Sequence, residues 1–254
     1  MIRKNFTKAW VAIFAVAAIS MGCNKDSEDT PPAEQLAFDT QEVMDKLPQA
    51  LLSSDDQYAQ QCVNDIESAL DMSDFMEDMV PPENAVKTSK KAVNGDTWSW
   101  NVSYGDMSYT FFWTYEEDNA KRYWTMDIQF NDGERYSYIS AWESKDGKNG
   151  EVLYNFNWVD AYEGSTDYED LYWKYTWTLD DDGNYEFGWD YDSSSDEYNY
   201  FLKYTVVVNA DGSGYIDYYS LDVQFYHMEW DAMGNGSWTY FYGEEFTQSG
   251  SWTV

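Results

Sequence analysis

His227 is the only histidine in the 254 residues, and Cys23 and Cys62 are the only cysteines. One imidazole and one spare thiol cannot assemble the usual zinc ligand set. His227 sits in LDVQFYHMEW (221–230), where the apolar phase slips from Leu221, Val223 and Phe225 to Met228 and Trp230. Such a slip predicts a β-bulge near Tyr226-His227, a device that can re-aim side chains. The chain has no G-x-S-x-G elbow and no phosphate-cradling glycine loop, so no cofactor is implied. Carboxylates are plentiful: Glu143, Glu151, Glu163, Glu186 and Glu229 fall on or near strands, and a glycosidase needs only two. Among 47 acids a chance pair is expected, so the pattern carries little information.

The candidate metal ligands are Asp190, Asp192 and Asp196 in DYDSSSDE (190–197), where oxygens at alternate positions are like the opening of a calcium loop. The loop glycine at the sixth position and the acid at the twelfth are missing, so an acidic hairpin is the competing reading. Aromatic residues are the distinctive supply: 13 Trp, 23 Tyr and 13 Phe. Phe112, Tyr172, Phe201 and Phe241 fall on the polar phase of their strands and are candidates to stack on a sugar ring or a partner. Trp173, Trp177 and Trp189 lie on the apolar phase and are candidates to line a ligand cavity. Cross-strand stacking and core filling are the structural alternatives.

The elements that position these residues divide the chain in two. Asp39 or Thr40 can cap a helix over 41–52 that Pro48 must split. Ser54-Asp55-Asp56-Gln57 has capping-box spacing before a longer helix. Its apolar stripe runs through Ala59, Cys62, Val63, Ile66, Ala69 and Leu70 to Met76 and Val80, and Pro81-Pro82 ends it. Cys62, on that stripe, reads as a small buried hydrophobe. From Trp98 onward the period is two, as in Leu171, Trp173, Tyr175, Trp177 and Leu179. Asp132-Gly133, Asp146-Gly147, Asn149-Gly150, Asp182-Gly183, Asp211-Gly212 and Asn235-Gly236 supply tight hairpin turns. The expected fold is mainly β (α+β): N-terminal helices over 39–82, then an up-and-down antiparallel meander of about 11–12 strands over 83–254. Helices against the concave side of a barrel or half-barrel form the expected packing, with a β-sandwich as the alternative. This element order is similar to that of the LolA/LolB-type lipoprotein carriers.

The start of the chain is different in kind. Arg3, Lys4 and Lys8 precede an eleven-residue apolar run, Ala9–Ile19, and Ser20-Met21-Gly22 puts small residues before Cys23. That is the layout of a secretory signal over 1–22. As a helix the run spans about 16 Å, short of the roughly 30 Å hydrocarbon core. Residues 1–23 resemble a bacterial lipoprotein signal, with Ser20 where leucine is usual. The resemblance implies cleavage before Cys23 and a lipid on its sulfur. Lys25-Asp26-Ser27-Glu28-Asp29 resembles the surface-export signal of Bacteroidota lipoproteins, which implies outer-membrane anchorage and cell-surface display. Residues 23–38 then form an acidic tether stiffened by Pro31-Pro32.

The net charge is −32, or near −35 without the signal, which holds three of the 15 basic residues. Such a charge excludes nucleic acid and anionic membrane surfaces as partners. The function expected is non-enzymatic binding of an apolar molecule or a glycan. The alternatives are a structural module that meets another envelope protein, and a carboxylate-based glycoside hydrolase.

Overall fold

A computed structural model describes residues 38–74, 80–92, 95–104, 107–131, 133–164, 171–193, 200–221, 223–241 and 247–254. Cys23, the signal and Asp196 lie outside them. The helical segment is α1 (Thr40–Lys46), α2 (Gln49–Leu52) and α3 (Gln57–Asp74). Asp39 caps α1, accepting from the Glu42 amide at 3.0 Å. Pro48 separates α1 from α2, as expected of a residue without an amide hydrogen. The cap of α3 is Asp56 rather than Ser54: its carboxylate accepts from the amides of Tyr58 and Ala59 at 2.8 and 3.2 Å.

Thirteen antiparallel strands follow in one sheet whose spatial order is the chain order. They are β1 (Val86–Ala92), β2 (Gly95–Tyr104), β3 (Met107–Glu117), β4 (Lys121–Phe130), β5 (Arg135–Ser144), β6 (Asn149–Asn155) and β7 (Leu171–Leu179). Then come β8 (Tyr185–Ser193), β9 (Tyr200–Val208), β10 (Gly214–Ser220), β11 (Val223–Trp230), β12 (Gly236–Phe241) and β13 (Thr247–Trp252). The sheet is open, with β1 and β13 as its edges. The meander is therefore as expected, with thirteen strands against the expected 11–12. β1 (VKTSKKA) escapes the period-two pattern because an edge strand guarded by lysines buries little. Between β6 and β7 a short helix, α4 (Asn157–Glu163), replaces the strand expected through Phe156 and Trp158. Gly164, at φ 69°, ends it in the left-handed conformation.

One face of the sheet carries the helices. Val43, Leu47, Leu51, Ala59, Cys62, Ile66 and Leu70 pack in one cluster with Trp98, Trp113, Tyr175, Phe187, Val206, Ile216, Met228 and Trp252. The hairpins at the β9–β10 and β11–β12 end meet the helices directly. A Cβ on Gly212 would strike the Lys46 carbonyl, and one on Gly234 would strike Leu51. That end repeats a fastening. The indole N–H groups of Trp177, Trp230 and Trp252 donate to the carbonyls of Gly147, Gly212 and Gly234 at 3.1, 2.8 and 2.8 Å. Each ring covers a glycine on the preceding strand, Gly150, Gly214 or Gly236, with no room for a methyl group. The Trp polar tip thus finds its partner in a turn while the ring closes the core.

Candidate functional site

Towards the other ends of the strands the aromatic face changes character. Trp100 and Phe111 are cross-strand partners on β2 and β3, stacked at 5.4 Å. In β5 the register slips so that Ile139 faces Met126 while Ser137 faces Asp127, and Tyr138 is the extra residue. The bulge turns Tyr138 onto this same face, 6.3 Å from Phe111 and 6.5 Å from Tyr154. Helix α4 then brings Trp158 edge-on to Tyr138 at 5.6 Å and over Phe130 at 6.3 Å. Trp100, Phe111, Phe130, Tyr138 and Trp158 are all half-buried, unlike the fully covered rings beneath α3.

Three polar atoms in this group are buried and have no hydrogen-bond partner: the indole nitrogens of Trp100 and Trp158 and the amide oxygen of Asn157. Unpaired buried polar atoms are rare in folded proteins and demand an explanation. Burial pushes the Tyr138 phenol up to about 12 and holds Tyr154 well above its ordinary value, so both stay neutral hydroxyls. The set therefore offers ring faces and hydroxyl groups, whereas the two indole N–H groups and the Asn157 oxygen are covered by protein.

A second aromatic group lies farther along the same face. Trp189 stacks on Tyr204 at 5.8 Å and meets Tyr218 at 6.3 Å. Tyr204 also donates to the Asp65 backbone carbonyl of α3 at 3.3 Å. Burial raises the Asp65 carboxyl to about 6, partly offset by the amide of Gln61 that donates to it.

The three tryptophans expected to line a cavity separate accordingly. Trp177 is core: it is buried, stacked with Phe38 at 5.4 Å and fastened to a turn. Trp173 and Trp189 are half-buried. Trp173 packs on Tyr154 at 4.9 Å, at the border of the group around Tyr138.

The four aromatic residues on the helix-free face form no joint site. Phe112 is not an exposed platform: it is 8% exposed, with the Arg135 guanidinium 3.3 Å above its ring. A cation stacked on the ring occupies the surface a ligand would need. Tyr172 and Phe201 are half-buried and flank Asp192 in register, and the Tyr172 hydroxyl donates to that carboxylate at 3.4 Å. Phe241 is half-buried on β12, away from them.

Asp190 and Asp192 are strand residues on β8 rather than loop residues. Asp190 is ion-paired with Lys174 at 2.9 Å, so a cation already balances it. Among the described residues no group of three metal-ligating side chains converges. The carboxylates also disperse. Glu143 is wholly buried and accepts from Arg122 at 3.3 Å. Glu151 is half-buried, Glu186 and Glu229 are exposed, and Glu163 ends α4.

His227 gains a partner that periodicity could not reveal. Cross-strand pairing sets Asp217 beside it, and Nδ1 donates to the carboxylate at 2.7 Å. The Gln224 amide donates to the same carboxylate at 2.6 Å, and Glu229 lies 3.7 Å from Nε2. The expected bulge is present one residue earlier, where Phe225 is the extra residue between Gln224 and Tyr226. This polar network lies on the helix-free face beside Tyr215, whose ring is 6.2 Å from the imidazole.

The residues that periodicity overlooked as a group are Trp100, Phe111, Phe130, Tyr138, Asn157 and Trp158. The bulge and α4 bring them together, and the alternation, which runs on through Phe156 and Trp158, hid the turn into α4. No known protein family, curated protein or solved structure matches the chain, so the site rests on its own geometry.

Proposed function

We propose that the protein is an acylated outer-membrane lipoprotein displayed at the cell surface, whose sheet domain binds a small apolar molecule or a glycan without catalysing a reaction. The aromatic group around Tyr138 carries the binding half of this reading. Five half-buried rings gather beside three buried polar atoms that the protein leaves unpaired. The anchoring half rests on residues 1–29, whose zones fit a lipoprotein signal followed by an acidic export segment.

Two experiments test it. Mass spectrometry of the mature N-terminus should find a diacylglyceryl group on Cys23, and Cys23→Ser should release the protein from the membrane fraction. An unmodified Cys23 would remove the anchor. For binding, the purified domain should enhance N-phenyl-1-naphthylamine fluorescence or show tryptophan quenching with soluble glycans. Silence in both assays would defeat this reading.

A second reading, docking of another envelope protein, is favoured by the open edge at β13. Its sequence there (TQSGSW) has neither charge nor proline to discourage strand addition.

A further inference from the structure

We infer that the free edge of β13 is a docking site for an extended segment of a partner protein, which adds to the sheet as a further strand. This rests on the docking reading above and names its partner by chemistry. The two edges of the sheet are built differently. β1 carries three lysines in VKTSKKA, and its register against β2 slips between Lys87 and Ser89 and again between Ser89 and Ala92. Charge and bulges of this kind keep a foreign strand from pairing. β13 (TQSGSW) has no charge and no proline, and its register with β12 is unbroken from Gly236–Trp252 to Phe241–Thr247. Antiparallel ladders alternate, so one parity of β13 points its backbone groups outward. The bond from the Asp231 amide to the Asn235 carbonyl sets the parity: Ser237 and Thr239 bond to β11, and Trp238 and Tyr240 bond to β13. Their partners Gly250 and Gln248 therefore bond inward, and the N–H and C=O groups of Thr247, Ser249 and Ser251 face the open edge. The side chains of these three residues are exposed as well.

The fold itself shows what such an edge accepts. β13 stands to β12 as β11 stands to β10: Trp230 and Trp252 cover Gly214 and Gly236 and donate to the carbonyls of Gly212 and Gly234. The far edge of β11 holds β12 (GSWTYF), with Gly236 opposite Trp230, Trp238 opposite Met228 and Tyr240 opposite Tyr226. A segment of the same kind fits β13, with a small residue opposite Trp252 and aromatic or aliphatic side chains at alternate positions beyond it. Val254 and the turn residue Met233, both exposed, add apolar surface at the Trp252 end. Charge narrows the partner further. At a net charge of −32 the protein repels an acidic segment and a second copy of itself, and attracts a segment flanked by lysine or arginine.

The test titrates the full-length protein by calorimetry with the peptide KKGSWTYFKK, which repeats Gly236–Phe241 between lysines. A scrambled peptide of the same composition controls for attraction by charge alone. The first peptide should bind and slow hydrogen exchange at the amides of Thr247, Ser249 and Ser251, and the scrambled one should do neither. Ser249→Pro removes an outward N–H and sets a ring on the edge without breaking a bond to β12, and should weaken binding about tenfold or more. Ser251→Pro should do likewise. Thr125→Ala, on β4, should change nothing, and circular dichroism and the thermal midpoint establish that each variant folds.

The strand-addition inference falls if the peptide does not bind, if the scrambled peptide binds as tightly, or if both proline variants bind unchanged. The docking reading is judged separately, by crosslinking on whole cells that display the wild type or Ser249→Pro. A crosslinked partner retained by Ser249→Pro keeps the docking reading and overturns the edge assigned here. No crosslinked partner and no peptide binding would remove both.

Discussion

The Tyr204 hydroxyl on β9 donates to the backbone carbonyl of Asp65 on α3, 3.3 Å away, across 139 residues of chain. That bond fastens the longest helix to the sheet at the edge of its buried stripe. It also places the Asp65 carboxyl close enough to the Tyr204 and Tyr226 phenols for its charge to raise them further, in addition to their own burial.

The Asp65 environment makes stability fall as pH rises. Burial lifts its carboxyl to about 6 in the folded state, above the unfolded value near 4. The folded state therefore holds its proton more tightly. Its contribution is fully present below about pH 4 and is lost as pH rises through about 6. Partial exposure discounts the effect to about 1–2 kcal/mol. Asp65→Asn should be more stable than wild type at pH 8 by this amount, with the difference vanishing near pH 4. Urea unfolding across that range measures it, and a pH-independent difference would contradict the linkage.

Arg122 and Glu143 should respond unequally to mutation. Glu143 is fully buried, whereas Arg122 keeps 23% of its side chain exposed. Arg122→Met takes a cation away from a buried carboxylate and should destabilise the fold by about 3–5 kcal/mol. Glu143→Gln leaves a cation that water still reaches, and should cost less than half as much. Equal losses in denaturant midpoints would contradict this asymmetry.

The Gly236–Trp252 pair tests the repeated fastening. A methyl group at Gly236 would collide with the Trp252 ring, so Gly236→Ala should destabilise by about 1–3 kcal/mol. Trp252→Phe loses the bond to Gly234 and should cost about 1 kcal/mol or somewhat more. At this chain length each kcal/mol lowers the thermal midpoint by roughly 2–4 °C. Scanning calorimetry checks both values, and a Gly236→Ala protein as stable as wild type would contradict the packing.

Cys62 should be chemically silent while the protein is folded. Burial, with the nearby Asp65 charge, holds its thiol far above the ordinary range, so little thiolate forms. In a Cys23→Ser background, dithionitrobenzoate should label no thiol in buffer and one in denaturant. Rapid native labelling would show that α3 opens.

Much of the fold was legible in the sequence. Period-two alternation located the strands from β2 to β9, because a half-buried antiparallel sheet sorts side chains by parity. Pro48 and Asp39 marked the first helix for local steric and hydrogen-bonding reasons. The candidate site was much less legible. Phe112 lies on the polar phase yet is buried, because Arg135 from β5, two strands away, reaches over it. Asp217 stands ten residues from His227, and only the β10–β11 register makes them partners.

By itself the sequence determined an antiparallel meander with helices in front of it, since alternation, turn glycines and caps act over a few residues. Tertiary structure alone decided which aromatic rings became core and which gathered around unpaired polar atoms. The Tyr138 bulge and helix α4 both interrupt the local pattern, and they persist through contacts with each other, Trp158 against Tyr138, that no short window of sequence contains.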